Sequence, residues 1–485
     1  MMDRVHQKFI YHIWALYQEC CKRGQIDYRQ YVSFDKTYSA RNLDAYLMHK
    51  SNTDKAFDDE LRSCGLALSS PQHMLRSYHQ LLLNLGFPWQ SLPSPTPLHL
   101  SSRGLLTQRA DDLFGARSGA NSPPLMLTLD VNMSDSPLLE QLLDGGMTIA
   151  RINCAYGDEA AWSRLISSIR AAEARLRSQG RYGERHCRIY MDIAGPKLRI
   201  QELIPAPGHK SIKLAHKDKL RVLLGDAVPV PVSDAKIPAI QVNMPQAFDH
   251  IAKGHQVFID DGKIYGVVTD HNTAYIDIEI FAPAIPVSLK NHKGINLPDT
   301  SFGASMTFLT TKDERDLAFV CRHADIAGIS FVQYPQDLQK VRAVLQQMNA
   351  PEVAVIAKIE TKEAVRQLSE LLFEGLHFPR FGIMVARGDL ALEIGFEQLS
   401  IVQEDILTLS HAAHIPVILA TQILDTLAKK GTPSRAELTD LSFGSEFDCL
   451  MLNKGPFLVQ AVTFIQDTMS LISHSKEYHL SIVRP

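Results

Sequence analysis

The sequence lacks the paired cysteines that build a zinc site or a disulfide framework. Its seven cysteines are scattered along 485 residues, and no two of them form a C-x-x-C pair. An odd, scattered set of thiols is typical of proteins from reducing compartments. We therefore expect free thiols and a cytoplasmic location.

Long apolar runs and a charge imbalance are also absent. No apolar run reaches the roughly 18 residues that a membrane-spanning helix needs. Charged residues and histidines interrupt residues 1–18, unlike in a signal peptide. The 50 Lys and Arg residues nearly balance the 53 Asp and Glu residues, for a formal net charge of −3. We therefore expect no membrane partner and, without a global basic surface, no nucleic-acid partner.

The N-terminal portion has the periodicity of helices. Four apolar residues recur at a spacing of four and predict a helix with one apolar face: Val5, Phe9, Ile13 and Tyr17. A second helix is predicted to begin at Ser70-Pro71 and to end at Leu85-Gly86. Residues 87–104 are rich in Pro and Ser and read as a boundary. We expect a helical domain with its linker over residues 1–118.

After residue 124, short apolar strand-like runs alternate with amphipathic stretches. There are eight such runs, at residues 125–130, 148–153, 188–193, 325–331, 353–360, 381–389, 416–421 and 447–452. Eight buried strands that alternate with helices predict an α/β fold, the (β/α)8 TIM barrel. We assign its first part to residues 119–199 and its second part, with the C-terminal tail, to residues 291–485.

The interval between the third and fourth runs is too long for one crossover helix. Residues 200–290 contain several β-type segments, and Asp261-Gly262 stands between two of them as a strong hairpin signal. We predict an all-β domain, inserted after barrel strand three, that lies over the C-terminal end of the barrel as a lid.

Charged and hydroxyl side chains stand at the ends of the predicted barrel strands. The carboxyl ends of such strands converge on one pocket. The converging residues are Arg151, Asn153, Asp192, Lys197, Arg199, Ser330, Lys358, Glu360, Arg387, Asp389 and Thr421. A salt bridge inside the barrel would explain one pair of charges, whereas the whole set favours an active site.

Glu360 and Asp389 are the candidate metal ligands. Two carboxylates from adjacent strands, with the other positions left to water and substrate, suit Mg²⁺ (or Mn²⁺) better than a closed protein cage would. Lys358 alternates with Glu360, so both side chains project to the same side of the strand. A cation beside a metal offsets the charge on a phosphoryl group in transfer.

Eight segments of the sequence resemble the successive motifs of the pyruvate kinase family. They are RINCAYGD (151–158), MDIAGPKLRI (191–200), FIDDGKI (258–264), KGINLPD (293–299), ISF (329–331), AKIE (357–360), IMVARGDLALEI (383–394) and ATQILDTL (420–427). The resemblance covers about residues 125–470. It implies transfer of a phosphoryl group from phosphoenolpyruvate to ADP, giving pyruvate and ATP, with Mg²⁺ as cofactor.

The resemblance also implies roles for single residues. Lys358 would neutralise the phosphoryl group in flight, Thr421 would help to deliver a proton to the enolate, and Arg151 would contact phosphate. Glu360 and Asp389 would hold the divalent metal. Further substrate or nucleotide contacts are expected from Arg199, Lys293, Ser330, Arg387 and Gly388.

The sequence departs from the family at the monovalent-cation site. That site, or its replacement, would comprise Asn153, Asp192 and Lys197, but Ala155 replaces a serine and Lys197 replaces a glutamate. An ammonium group is itself a compact monovalent cation. We therefore predict that Lys197 replaces K⁺, so that K⁺ is not required.

Other departures concern the nucleotide side and the end of the sequence. Tyr156 replaces a histidine, and Asn453-Lys454-Gly455-Pro456 replaces the usual Ser-Gly-Glu-Thr. Because only about thirty residues follow the eighth run, we expect no C-terminal allosteric domain of the family's kind.

Two other functions stay open on the sequence alone. One is a metal-dependent lyase or aldolase acting on a 2-oxo acid, which would need no nucleotide. The other is a metabolite-sensing paralogue without turnover, although retention of Lys358, Glu360, Asp389 and Thr421 favours catalysis. We also expect a homo-oligomer formed through barrel surfaces, whereas no partner is predicted for the N-terminal domain.

Overall fold

A computed structural model describes residues 4–23, 33–63, 68, 70–88, 102–115, 122–134, 136–224, 237–300 and 308–478. Its N-terminal part consists of helices. They are α1 (Arg4–Arg23), α2 (Phe34–Asn52), α3 (Lys55–Ser63), α4 (Met74–Asn84) and α5 (Ser102–Phe114).

The N-terminal helices pack around an apolar core of their own side chains. Phe9, Ile13 and Tyr17, three members of the predicted stripe on α1, are buried together with Tyr78 and Leu82 of α4. The predicted second helix begins as a 3₁₀ turn at Pro71 and continues as α4. It ends before Gly86, whose φ of 82° is a left-handed conformation that favours glycine.

The first part of the barrel follows. Its elements are β1 (Leu125–Thr128), α6 (Leu138–Asp144), β2 (Met147–Asn153), α7 (Glu159–Ser178) and β3 (Arg188–Asp192). The strands are short, parallel and almost wholly buried, which explains their continuous apolar sequences.

A second, all-β unit interrupts the barrel after β3. Its strands are β4 (Ile200–Ile204), β5 (Lys213–Leu214), β6 (Lys219–Leu223), β7 (Ala239–Val242), β8 (Gln256–Ile259), β9 (Ile264–His271), β10 (Tyr275–Ala282), β11 (Val287–Ser288) and β12 (Ile295–Asn296). Seven of them form a sheet in the order β12-β8-β9-β10-β6-β7-β4, and β5 pairs with β11. The predicted hairpin turn at Asp261-Gly262 joins β8 to β9.

The second part of the barrel completes the chain. Its elements are α8 (Thr311–His323), β13 (Ile326–Ile329), α9 (Pro335–Gln347), β14 (Ala354–Ile359), α10 (Lys362–Arg366), α11 (Leu368–Gly375), β15 (Phe381–Ala386), α12 (Arg387–Ile394), α13 (Leu399–Ala412), β16 (Val417–Ala420), α14 (Asp425–Lys430), α15 (Arg435–Gly444), β17 (Cys449–Leu452) and α16 (Leu458–Tyr478). The eight barrel strands close in the order β1-β17-β16-β15-β14-β13-β3-β2. The predicted fold class is confirmed, because each of the eight apolar runs overlaps one of these strands.

Helix α5 links the N-terminal helices to the barrel and covers the N-terminal end of the barrel strands. Leu113 and Phe114 are buried in one cluster with residues of the barrel interior, such as Met126 and Ile356. A Cβ atom on Gly382 of β15 would lie 2.8 Å from Cδ2 of Leu113, so the helix is in close contact with the strand. The side chains of α5 therefore fill the N-terminal end of the barrel.

The N-terminal helices also dock onto the end of α13. Asn42 Nδ2 donates a hydrogen bond of 2.8 Å to the carbonyl of Ala412, and Arg109 Nη1 donates to the carbonyls of Ala413 and His414. The carbonyls at the end of a helix lack partners within the helix. The N-terminal domain therefore supplies caps to this barrel helix. Among the described helices, none is long and apolar enough to cross a membrane.

Candidate active site

A cavity of about 350 Å³ opens at the C-terminal end of the barrel. Ten of the thirteen predicted site residues line it, namely Arg151, Asn153, Lys197, Arg199, Ser330, Lys358, Glu360, Gly388, Asp389 and Thr421. The hairpin turn of the all-β unit contributes Asp261, and α12 and its C-terminal loop contribute Leu392 and Phe396. The lid prediction is consistent with this position of the turn over the barrel end.

Lys358 lies at the base of the cavity among polar partners. Its Nζ is 2.9 Å from Ser330 Oγ and 3.0 Å from Glu360 Oε1, and it is 3.9 Å from Asp192 Oδ2. Burial by itself would lower the pKa of Lys358, but the carboxylates of Asp192 and Glu360 outweigh it and raise the pKa. The side chain is therefore a buried, permanently charged cation.

Arg151 and Asp192 form a second buried ion pair beside Lys358. Arg151 Nε donates to Asp192 Oδ2 at 2.6 Å, and Nη1 donates to Thr128 Oγ1 at 2.9 Å. Burial opposes the charge on Asp192, yet Arg151 and Lys358 keep the pKa of this carboxyl below its usual value. Asp192 therefore serves as a counter-ion for both cations.

Asp389 lies at the start of α12 and is bound by Lys197. The Nζ of Lys197 lies 2.7 Å from Oδ1 and 2.9 Å from Oδ2 of Asp389. Asn296 Nδ2, at the end of β12, donates to Asp389 Oδ1 at 3.3 Å and to Glu393 Oε1 at 3.4 Å. Burial by itself would raise the pKa of Asp389, but Lys197 and the other donors lower it.

The donor set at Glu360 and Asp389 fits a hard divalent cation. Burial raises the pKa of Glu360, and repulsion from the Asp389 carboxylate raises it further, although Lys358 acts in the opposite sense. A cation between these two carboxylates would relieve that repulsion, with water and substrate as its other ligands. Within the described residues, no group of three or more His, Cys, Asp or Glu side chains is placed to hold a metal.

Lys197 is not placed with the other residues of the predicted monovalent-cation site. Asn153 Oδ1 accepts a hydrogen bond from the backbone N–H of Ala155, and Asp192 is paired with Arg151. The ammonium group of Lys197 instead lies on the carboxylate of Asp389. Lys197 thus lies within the cavity beside Asp389, one of the two candidate metal ligands.

Thr421 lies at the end of β16 in a left-handed conformation. Its φ is 63°, and Gln422 and Leu424 have φ values of 60° and 46°. Such angles are costly for residues with a Cβ and occur mainly where the surroundings enforce them. The backbone N–H of Gly388 donates to Thr421 Oγ1 at 3.0 Å. The hydroxyl group is thereby fixed at the wall of the cavity.

Three predicted site residues lie outside the cavity lining. Asp192 pairs with Arg151 and lies 3.9 Å from Lys358 Nζ. Lys293 Nζ is 2.7 Å from Asp260 Oδ1, next to the hairpin turn of the all-β unit. Arg387 is buried and points away from the cavity, toward the carbonyls of Ala420 and Thr421. Arg387 thus binds the protein itself and does not line the cavity, and its predicted substrate contact stays a prediction.

Sequence reasoning missed two residues that contact the candidate metal ligands. Asn296 stands inside the KGINLPD segment, and it bridges Asp389 and Glu393. Phe331 has a φ of 57°, and its backbone N–H donates to Glu360 Oε2 at 2.7 Å. The segment that contains Asn296 was available as a signal, whereas a backbone donor leaves no trace in the side-chain pattern.

The fold and the site define a TIM-barrel protein with a polar site at the C-terminal end of the barrel, where enzymes of this class carry out their chemistry. The family model for the barrel domain of pyruvate kinase matches residues 123–457. The chain belongs to the pyruvate kinase family.

Curated relatives agree with this membership. The pyruvate kinase of Bacillus licheniformis is 31% identical over 346 residues, which are 70% of this chain and 54% of that protein. The pyruvate kinase of Geobacillus stearothermophilus is 31% identical over 307 residues, 63% of this chain and 48% of that protein. The pyruvate kinase of Clostridium perfringens is 28% identical over 363 residues, 73% of this chain and 70% of that protein. The chain thus spans about half the length of several of the relatives it matches.

Proposed function

We propose that the chain transfers the phosphoryl group of phosphoenolpyruvate to ADP and so forms pyruvate and ATP. The observation that carries this proposal is the buried Lys358 ammonium, which lies between Ser330 and Glu360 in the same cavity as Asp389 and Thr421. These residues provide one charge-neutralising cation, two candidate metal ligands and one hydroxyl donor.

In the proposed reaction, the bond between the phosphorus and the enol oxygen breaks, and a bond from the phosphorus to a β-phosphate oxygen of ADP forms. Charge develops on the oxygens of the phosphoryl group as it moves. Lys358 would face this charge from a fixed position, because Ser330 and Glu360 hold its ammonium group. A preorganised cation in a site shielded from water stabilises such a transition state strongly.

Glu360 and Asp389 would hold Mg²⁺, or Mn²⁺ in its place. The metal would supply Lewis-acid stabilisation of the substrate's carboxylate and phosphoryl oxygens. Asn296 orients the Asp389 carboxylate, and the Phe331 N–H orients that of Glu360. These contacts fix the two ligands before any ion binds.

The enolate left by phosphoryl transfer must gain a proton at its methylene carbon. Thr421 would relay it, giving up its hydroxyl proton while taking one from solvent, because its oxygen already accepts a hydrogen bond from Gly388 N–H and its own proton can point into the cavity. A general acid must lie within hydrogen-bond reach of its acceptor, which this wall position allows.

The acceptor would bind in a second recess of about 270 Å³ next to the first cavity. The two recesses share Arg151, Asn153, Lys429 and Asn453, so a molecule can extend from one into the other. Lys429 and Lys454 line the second recess, where they pair with Asp425 and Asp130, and a diphosphate would compete with these carboxylates for the two cations. Arg199, on the lid side of the first cavity, would add to them.

Lys197 also bears on the ions that the reaction needs. We include in the proposal that its ammonium supplies the fixed monovalent charge of the site, so that turnover does not depend on K⁺. Its ammonium lies inside the cavity on the carboxylate of Asp389, so it would supply this charge from a position apart from Asn153 and Asp192. A cytoplasmic homo-oligomer remains part of the proposal on the grounds given by the sequence.

The test is ³¹P NMR of the purified chain with phosphoenolpyruvate, Mg²⁺ and a panel of nucleoside diphosphates. The expected result is loss of the phosphoenolpyruvate signal and growth of a nucleoside triphosphate signal, with ADP among the acceptors. Pyruvate formed from a 2-oxo acid without any nucleotide would favour a lyase instead. Binding of phosphoenolpyruvate without any turnover would favour a metabolite sensor.

A further inference from the structure

Each of the three guanidinium nitrogens of Arg387 donates a hydrogen bond to the protein. Nε donates to the carbonyl of Ala420 at 3.2 Å, Nη2 donates to the carbonyl of Thr421 at 2.5 Å, and Nη1 donates to Asp440 of α15. The side chain is buried. Arg387 therefore donates to two consecutive carbonyls, those of Ala420 and Thr421, at the end of β16.

Those carbonyls belong to the turn that places Thr421. Thr421, Gln422 and Leu424 all have positive φ values, which residues with a Cβ adopt only when their surroundings hold them. The same turn presents Thr421 Oγ1 to the N–H of Gly388, the residue that follows Arg387. Arg387 and Gly388 thus bind the backbone and the hydroxyl of Thr421 from adjacent positions at the start of α12.

The outer end of Arg387 is bound by α15, a helix that also contacts the start of α14, which follows the turn. Asp440 accepts from Arg387, and Glu437, one helical turn earlier on α15, accepts from the backbone N–H of Thr426 at 2.5 Å. Glu437 also accepts from the N–H of Ser434 in a capping box that begins α15. These contacts hold the start of α15, the helix on which Asp440 binds the guanidinium group of Arg387.

We propose that Arg387 is a positioning residue: with Asp440 it holds the left-handed turn at Thr421 and aims the Thr421 hydroxyl at the substrate carbon. The proposal rests on the proposed function, in which Thr421 delivers the proton. It gives Arg387 a role in the protonation step and none in binding substrate.

The role predicts a specific pattern of kinetic loss. The readout is the exchange of pyruvate methyl protons with deuterium from solvent, which reports proton transfer at that carbon alone. Thr421→Val removes the hydroxyl and keeps the branched shape, and a general acid typically contributes about 10²–10⁴-fold. Arg387→Gln should lose most of the same factor, with little change in the pyruvate concentration that half-saturates the enzyme.

A variant that carries both substitutions distinguishes a role of Arg387 in positioning Thr421 from a general structural effect on the exchange rate. If Arg387 acts through Thr421, Arg387→Gln combined with Thr421→Val should exchange no more slowly than Thr421→Val alone. Arg342→Gln is the matched control, because it removes an ion pair of 2.8 Å to Glu374 between α9 and α11, away from the cavity. It should leave the exchange rate unchanged. Multiplied losses in the double variant would overturn the proposal.

A crystal structure of the Arg387→Gln variant tests the same idea without any activity. The expected result is that Thr421 leaves its positive φ and that its Oγ1 moves away from Gly388 N. A turn that keeps both features would overturn the proposal, whether or not the wild-type chain acts on phosphoenolpyruvate. If Arg387→Gln does not fold, Asp440→Ala replaces it, since Asp440 is partly exposed and only its contact to the guanidinium is lost.

Discussion

Lys197 places its ammonium nitrogen within 2.7 Å and 2.9 Å of the two carboxylate oxygens of Asp389. The two residues lie 192 positions apart, one after β3 and the other at the start of α12. The contact brings the ammonium group of Lys197 to the carboxylate of a candidate metal ligand. It also links the segment that leads into the lid with the barrel.

The first prediction concerns the monovalent ion. With a bulky organic ammonium as the only monovalent cation, the wild-type chain should turn over phosphoenolpyruvate and gain little when K⁺ is added. The reason is that Lys197 already supplies a fixed cation in the cavity. Lys197→Glu should be weak without K⁺ and recover when K⁺ is present.

The matched control for this experiment is Lys340→Glu, since Lys340 is exposed on α9. It makes the same change of charge far from the cavity and should behave as wild type in both buffers. A wild-type enzyme that stays silent until K⁺ arrives would exclude the replacement of K⁺ by Lys197.

The second prediction concerns Lys358. Lys358→Met should lower kcat by roughly 10²-fold or more, because one preorganised charge aimed at a transition state is typically worth that much. Binding of the substrate with its metal should weaken less than kcat falls. Steady-state kinetics at several Mg²⁺ concentrations measure both, with Lys340→Met as the control. Near-native activity of Lys358→Met would mean that the chemistry takes place elsewhere.

The barrel could be predicted because its strands are buried on both faces. Strand β16, for example, is the uniformly apolar VILA, and Thr421, which ends its apolar run, lines the cavity as predicted from its position. The carboxyl ends of parallel strands must meet at one end of the barrel. Convergence of Lys358 and Glu360 therefore follows from strand order. The position of Asp389 also depends on α12, which begins directly after β15.

The contacts of Lys197 and Arg387 could not be predicted in the same way. Lys197 follows Gly195, whose φ of 67° redirects the chain, and a turn of this kind decides which carboxylate the side chain reaches. Arg387 precedes Asp389 by two positions. Because both lie in the first turn of α12, their side chains project in different directions from the helix. Docking of the N-terminal helices was equally hidden, because Asn42 and Ala412 are 370 positions apart.

The third prediction concerns the helix that closes the barrel from below. Leu113 of α5 is 1% exposed, and its side chain packs against the strands in the barrel interior. Leu113→Ala should lower the free energy of unfolding by about 2–5 kcal/mol, the usual range for a buried leucine whose removal leaves a cavity. Urea denaturation followed by circular dichroism measures the change.

Leu471→Ala is the control for that measurement. Leu471 lies on α16 with 71% of its surface exposed, so its removal leaves no cavity. Its effect should stay within about 0.5 kcal/mol. Equal effects of the two substitutions would show that α5 does not pack inside the barrel end.

The fourth prediction concerns pH and the docking of the N-terminal domain. His414 is fully buried and contacts Ser39 Oγ and the carbonyl of Gln72, both in that domain. Burial, with a smaller contribution from the nearby Arg109, lowers the pKa of His414 to about 3. The ring is therefore neutral when docked, whereas an undocked or unfolded histidine takes up a proton near pH 6.5.

The sign of the effect follows from this difference in bound protons. Above pH 6.5 neither state binds the proton, so the contribution of His414 to stability is complete. As the pH falls from 6.5 toward 3, only the undocked or unfolded state is protonated, and stability should fall by roughly 1.4 kcal/mol per pH unit. His414→Gln keeps polar groups at the site but cannot titrate, so it should lack this dependence.

The measurement is hydrogen exchange of the α2 amides between pH 6.5 and 4, compared between wild type and His414→Gln after correction for the intrinsic exchange rate. Protection that declines in parallel in both proteins would show that His414 does not control the docking of the N-terminal domain.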